Sequence, residues 1–204
     1  MDQQTLMKLV ETTHHTRHRI NRALRDIDRR ALNAMILVKR HGNALAGYGV
    51  IASAFRDQAA RMQEQAEKLQ QRVTPLVEAF MQWLKHAQYI QLVDAMFKKN
   101  NPAEAGRLKA NLAEWQKTIE EEQRRIQIIL HRLLDDVARF EEAVSEQEYV
   151  VTNGRIEAAL AEGTGAPLTR VSREMGAAVR EVRETIEQWK TTLEEFSHES
   201  RADL

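Results

Sequence analysis

Apolar residues recur at three- and four-residue steps along most of the chain, with charged and amide residues between them. That is the periodicity of long helices packed side by side. One seam runs Ile20, Leu24, Ile27, Ala31, Ala34, Val38, and a second runs Tyr48, Ala52, Phe55, Ala59, Met62, Ala66, Leu69, Val73, Leu76. Between them the pattern stops at a stretch holding Gly42 and Gly47. A shift of 120 positions, the spacing from Asn33 to Asn153, lands on a second set in the same phase. It reads Phe140, Val144, Gln147, Val151, Gly154, Ala158 before a second glycine-containing turn, then Leu168, Ser172, Met175, Val179, Val182, Ile186, Trp189, Leu193, Phe196. Almost every position stays apolar or small. Shared phase together with a turn at the same place in each half points to a duplicated, pseudo-two-fold helical hairpin.

The seams predict four long helices, over about 3–40, 48–98, 103–161 and 167–197, with the last few residues frayed. Asn100-Asn101-Pro102 marks the central break, because asparagine tolerates turn geometry and proline starts a helix well. The expected fold is all-α: an elongated antiparallel four-helix bundle over 1–204, made of a first hairpin (1–99, tip near 41–47) and a second (103–204, tip near 162–167). At about 1.5 Å per residue the helices are roughly 55 to 85 Å long. Both glycine tips fall at one end, and the Asn-Asn-Pro turn and both termini at the other. Pro75 should kink the second helix without breaking it, because Leu69, Val73, Leu76, Phe80 and Trp83 continue the seam through it. In the third helix, Ile129, Leu133 and Val137 make two consecutive four-residue steps, a stutter. Trp83 and Trp115 lie at similar distances from the central turn and should pack together there as core.

Composition narrows the function classes. The 204 residues include no cysteine, 8 Gly, 3 Pro, 43% hydrophobic and 29% charged residues. Disulfide and thiolate chemistry are absent, as suits a reducing cytosol. No run approaches the ~20 apolar residues of a membrane span, and no signal-peptide pattern follows Asp2. Lys+Arg and Asp+Glu both number 30, for a formal charge of zero. The local basic stretch from Arg17 to Arg30 is interrupted by Asp26 and Asp28, so no nucleic-acid partner is expected.

The two tips carry the most specific signal. The first reads Asn33-Ala34-Met35-Ile36-Leu37-Val38-Lys39-Arg40-His41-Gly42-Asn43, then Gly47-Tyr48-Gly49-Val50-Ile51-Ala52-Ser53-Ala54-Phe55-Arg56. The second reads Asn153-Gly154-Arg155-Ile156-Glu157-Ala158-Ala159-Leu160-Ala161-Glu162-Gly163, then Gly165-Ala166-Pro167-Leu168-Thr169-Arg170-Val171-Ser172-Arg173-Glu174-Met175. These resemble the membrane-distal hairpin of methyl-accepting chemotaxis receptors. Its pattern is Asn-Ala-x-Ile-Glu-Ala-Ala-Arg-Ala-Gly-Glu, a turn, then Gly-Phe-Ala-Val-Val-Ala-x-Glu-Val-Arg. The first copy keeps Asn33, Ala34, Ile36, Arg40, Gly42, Gly47, Val50, Ala52 and Arg56, and the second keeps Asn153, Ile156, Glu157, Ala158, Ala159, Ala161, Gly165, Val171 and Glu174. The resemblance spans roughly 24 residues per copy.

In that bacterial family two hairpins from two subunits form a four-helix bundle whose tip binds a histidine kinase and its coupling adaptor. The resemblance therefore implies a cytoplasmic, fused receptor-dimer-like protein that signals through protein contacts at its tips. On this reading Arg40, Asn43, Leu45 and Tyr48 in one copy, and Glu157, Glu162 and Leu168 in the other, are exposed contact residues. The tip glutamates of the pattern are Leu37 and Asn43 in the first copy. In the second, its arginine is Leu160, and Pro167 and Leu168 replace its Gly-Phe. The apolar position through which receptor dimers form trimers is Arg25 in one copy and Ser145 in the other. These departures bear on kinase activation and trimer formation. The alternative is a helical scaffold or adaptor unrelated to chemotaxis.

Other constellations read as structure. His14 and His18 are one turn apart, a spacing that can chelate a metal, yet they lie beside the Val10-Thr13-Arg17 seam as solvated histidines would. Glu141-Glu142 and Glu194-Glu195 are like the acidic pairs that receptors methylate, but solvated charge is the simpler reading. The inward Glu-x-x-His pairs of di-iron bundles, nucleophile triads and phosphate loops are all missing. No enzyme, cofactor or metal is expected. A chain that supplies four helices of its own should be monomeric or only weakly self-associating.

Overall fold

A computed structural model describes residues 3–97, 105–161 and 165–202. Its elements are α1 (Gln3–His41), a short 3-10 turn (Gly42–Leu45), α2 (Ala46–Phe97), α3 (Ala105–Leu160) and α4 (Gly165–Ala202). The Asn100-Asn101-Pro102 break and residues 162–164 of the second tip lie outside the described residues. Each helix packs on its two antiparallel neighbours, α1 on α2 and α4, and α3 on α2 and α4, while the diagonal pairs α1–α3 and α2–α4 make no close backbone approach. The result is the expected four-helix bundle of two hairpins, with one continuous core. Among the described residues, no helix is long and apolar enough to cross a membrane.

Burial follows the 120-residue offset closely. Ile20, Leu24, Ile27 and Ala31 are buried, and so are Phe140, Val144, Gln147 and Val151 at the matching positions. After the tips, Tyr48, Ala52, Phe55, Ala59, Met62, Leu69, Val73 and Leu76 are matched by Leu168, Ser172, Met175, Val179, Val182, Trp189, Leu193 and Phe196. The two halves thus present the same faces to the shared core even where the residues differ.

Several details differ from expectation. In α3 the buried series is Ile126, Leu130, Leu133, Val137, Phe140, Val144, Gln147, Val151, with Ile129 only partly buried. Using Leu130 instead of Ile129 restores alternating four- and three-residue steps, so the stutter disappears. At the start of α1 the seam is Leu9 and Thr16, both buried, while Val10 faces outward. α4 stays helical to Ala202 where fraying from Ser197 was expected. Its last turns are held by Ser200, fully buried, whose carbonyl accepts from Gln123 Nε2 at 3.3 Å while its Oγ donates to the Ser197 carbonyl at 2.9 Å. α2 continues unbroken through Pro75.

The two tryptophans take different partners. Tyr89 and Trp115 approach with ring centroids 5.5 Å apart, whereas Trp83 packs beside Phe80 at 5.6 Å, and Phe80 in turn meets Phe196. The α2–α3 register explains this. Tyr89–Trp115 and the Gln58–Glu146 hydrogen bond are both centred on position 102, which places Trp83 opposite position 121, not 115.

The helices differ in length, and this sets the shape. α2 and α3 have 52 and 56 residues against 39 and 38 for α1 and α4. With all four aligned at the tips, the α2–α3 pair runs on at the far end by about 20 Å. Four helices enclose the core near the tips, and two continue beyond it.

Candidate functional site

The tip end is built by interlocking the two hairpins. Gly42 carries φ +61°, the left-handed geometry that glycine adopts without steric cost, and it stops α1. The chain then turns through Gly42–Leu45 and re-enters helix at Ala46. Tyr48 reaches across to the second hairpin. Its hydroxyl lies 2.7 Å from Ser172 Oγ and 3.4 Å from the Leu168 carbonyl oxygen, to which it donates. Tyr48 and Leu168 are themselves related by the 120-residue offset, so equivalent positions of the two copies meet at the centre of the bundle. Burial raises the Tyr48 pKa above its ordinary value of 10.0, because ionisation there would place charge in a desolvated site; the Ser172 hydrogen bond opposes this only in part.

Two glycines allow the close approach. A Cβ on Gly47 would lie 2.5 Å from Glu157 Oε2, so the Glu157 carboxylate sits directly on the first tip's backbone. A Cβ on Gly154 would lie 3.1 to 3.3 Å from Ser172, Ile51 and Phe55 at once, leaving little room for any side chain where α2, α3 and α4 converge.

The expected contact residues separate accordingly. Arg40 is exposed and Glu157 is half-buried. Leu45, Tyr48 and Leu168 are buried, contrary to the expectation that they face a partner. Their side chains close the end of the core: Leu45 turns inward at the end of the 3-10 turn, and Tyr48 and Leu168 are the first core positions of α2 and α4. The seam that begins at these two residues already implied this. The side chain of Asn43 and the whole of Glu162 lie outside the described residues.

The exposed apolar residues at this end were not anticipated. Ile36 is 51% exposed and Ile156, its equivalent in the second copy, 54%. Val50 and Leu160 are more exposed still, at 72% and 68%. Leu160 occupies the position equivalent to Arg40. The available signal was that Ile36 and Ile156 are retained in both copies yet fall off the core seam.

The remaining candidates lie along the helices, away from the tip turns. His14 and His18 are exposed, with ring centroids 4.5 Å apart in an edge arrangement. Among the described residues no group of three or more His, Cys, Asp or Glu side chains is arranged to hold a metal. Each acidic pair commits one member to an interhelical ion pair: Glu141 accepts from Lys190 Nζ at 2.9 Å, and Glu195 from Lys8 Nζ at 3.1 Å. The hydrogen bond to Glu141 and its charge hold the Lys190 ammonium above its usual pKa. No family model matches the chain, and neither a curated protein nor a solved structure matches it.

Proposed function

We propose that this chain is a cytosolic, chemoreceptor-like signalling or array-associated protein acting through protein–protein contacts at its hairpin-tip end, with partners of the histidine-kinase or coupling-adaptor class. The observation that carries this reading is the pair Ile36 and Ile156. They stand at equivalent places in two hairpins, they belong to the retained tip pattern, and both are more than half exposed. An apolar side chain left outside the core adds little to folding but contributes where a partner covers it. Val50 and Leu160 are further exposed apolar residues at the same end, and Arg40 and Glu157 bring charge to it.

The test is direct binding between purified protein and purified coupling adaptor or kinase, measured by calorimetry. Ile36→Asp and Ile156→Asp should each weaken binding at least about tenfold, the scale of losing one buried interface side chain. Glu157→Lys should weaken it further. If adaptor and kinase fail to bind at all, the scaffold reading replaces this one. Binding that survives all three changes would place the contact away from the tips.

A further inference from the structure

A groove of about 470 Å³ opens between α2 and α3, far from the tips, lined by Arg72, Pro75, Glu121, Arg124, Arg125, Ile128, Ile129 and Arg132. Five of these, Glu121, Arg124, Arg125, Ile128 and Arg132, recur at three- and four-residue steps, so one face of α3 forms the longer wall. Arg72 and Pro75 face them from α2. Four guanidiniums and one carboxylate give the lining a formal charge of +3, in a chain whose total charge is zero.

The counter-charges do not reach all of them. Arg72 pairs with Asp136, and Arg125 approaches Glu122 at 3.7 Å. Glu121 is drawn to Lys117 at 3.8 Å. Arg124 and Arg132 have no carboxylate within ion-pair distance among the described residues. Like charges gathered along one wall repel one another, and an anion bound between them removes that repulsion. Ile128, 53% exposed, together with Ile129 and Pro75 adds apolar surface to the lining, and apolar surroundings strengthen a charge pair made beside them.

We propose that this groove binds a small, multiply charged phosphate anion, held by Arg124 and Arg132 with Arg72 and Arg125 at its sides. Guanidinium suits phosphate because its planar fork donates two parallel hydrogen bonds. The volume fits a small molecule, and the cationic wall is too short to track an extended polyanion. An acidic protein segment is the competing ligand.

The experiment titrates full-length protein with sodium tripolyphosphate at constant ionic strength, by calorimetry and thermal shift. We expect saturable binding and a raised melting temperature, since a ligand that binds only the folded state stabilises it by mass action. Arg124→Gln combined with Arg132→Gln should weaken binding at least about tenfold, as expected for the loss of charge-assisted hydrogen bonds. The control double variant Arg61→Gln, Arg173→Gln removes the same charge from exposed sites outside the groove and should bind like wild type. Circular dichroism checks that both variants remain folded. No saturation at millimolar anion, equal weakening in the control, or tighter binding of a hexaglutamate peptide than of tripolyphosphate would each overturn the proposal.

Discussion

Gln147 occupies a core position where the first hairpin has Ile27. Its side chain is fully buried, and neither amide atom has a hydrogen-bond partner among the described residues. Leaving a buried polar group unpaired costs about 1–3 kcal/mol, whereas replacing it with an apolar group of similar shape removes the penalty. Gln147→Leu should therefore raise stability by about 1–2 kcal/mol, and the melting temperature by about 2–8 °C for a chain of this size. Calorimetry that instead showed a loss would mean the amide is satisfied in solution, by a water or by a shift in register. Tyr48 gives a pH signature. Its pKa is raised in the fold, so above pH about 10 the unfolded chain loses the phenolic proton before the folded one does. Stability attributable to Tyr48 is thus complete below that pH and declines as pH rises through the raised value. Urea denaturation between pH 9 and 11.5 should show a steeper decline for wild type than for Tyr48→Phe. That variant should also lose about 1 kcal/mol at neutral pH, where Ser172 Oγ is left without its phenolic partner. Parallel pH profiles would show that the phenol is reached by solvent.

At the scale of elements, what was legible in the sequence was phase. The alternation of three- and four-residue steps placed all four helices and set the 120-residue offset, because burial in a bundle depends on direction around the helix axis and little on which apolar residue is present. It was ambiguous wherever two adjacent residues were both apolar. Ile129 and Leu130 could each continue the α3 seam, as Leu9 and Val10 could the α1 seam, and only packing against the neighbouring helices chose Leu130 and Leu9. Inter-helix register was legible only in part. The α2–α3 register is centred on position 102, so Trp83 and Trp115, 19 and 13 positions from it, fall at different levels and Trp115 meets Tyr89. At the tips, proximity to a turn suggests surface where the structure has core. Leu45, Tyr48 and Leu168 are adjacent in sequence to glycine turns, yet a bundle end must be closed by side chains, and these three are close enough to fold over it. The exposure of Ile36 and Ile156 is hard to read from sequence for the converse reason. Pattern reading assigns apolar residues to cores, and their departure from the seam is the only sequence sign that they lie outside one.

Over the whole molecule, helix lengths set the shape and limit self-association. α2 alone is about 78 Å long by helical rise, and a rod of that length has a radius of gyration of at least about 23 Å, against about 17 Å for a compact domain of the same chain length. Small-angle scattering at low concentration should give the larger value. The expectation of a monomer rests on four helices enclosing one core, and here they do so only along α1 and α4. Beside and beyond the point where α2 and α3 continue as a pair, the outward face of α2 presents Met81, Leu92 and Met96, all half exposed or more, with Tyr89 beside them under the Lys85 ammonium. These residues span about 22 Å, too short a stripe to reach the ~1,200 Å² of a stable interface. A second copy docking there should bind weakly. Sedimentation should then show a monomer at low micromolar concentration and a reversible dimer only on the order of 100 µM, in the affinity range of small transient interfaces. Leu92→Glu should abolish that dimer without changing the monomer's scattering profile, because the side chain touches solvent and not the core. A nanomolar dimer indifferent to Leu92→Glu would require an interface far larger than this stripe, with the hairpins opened to form it.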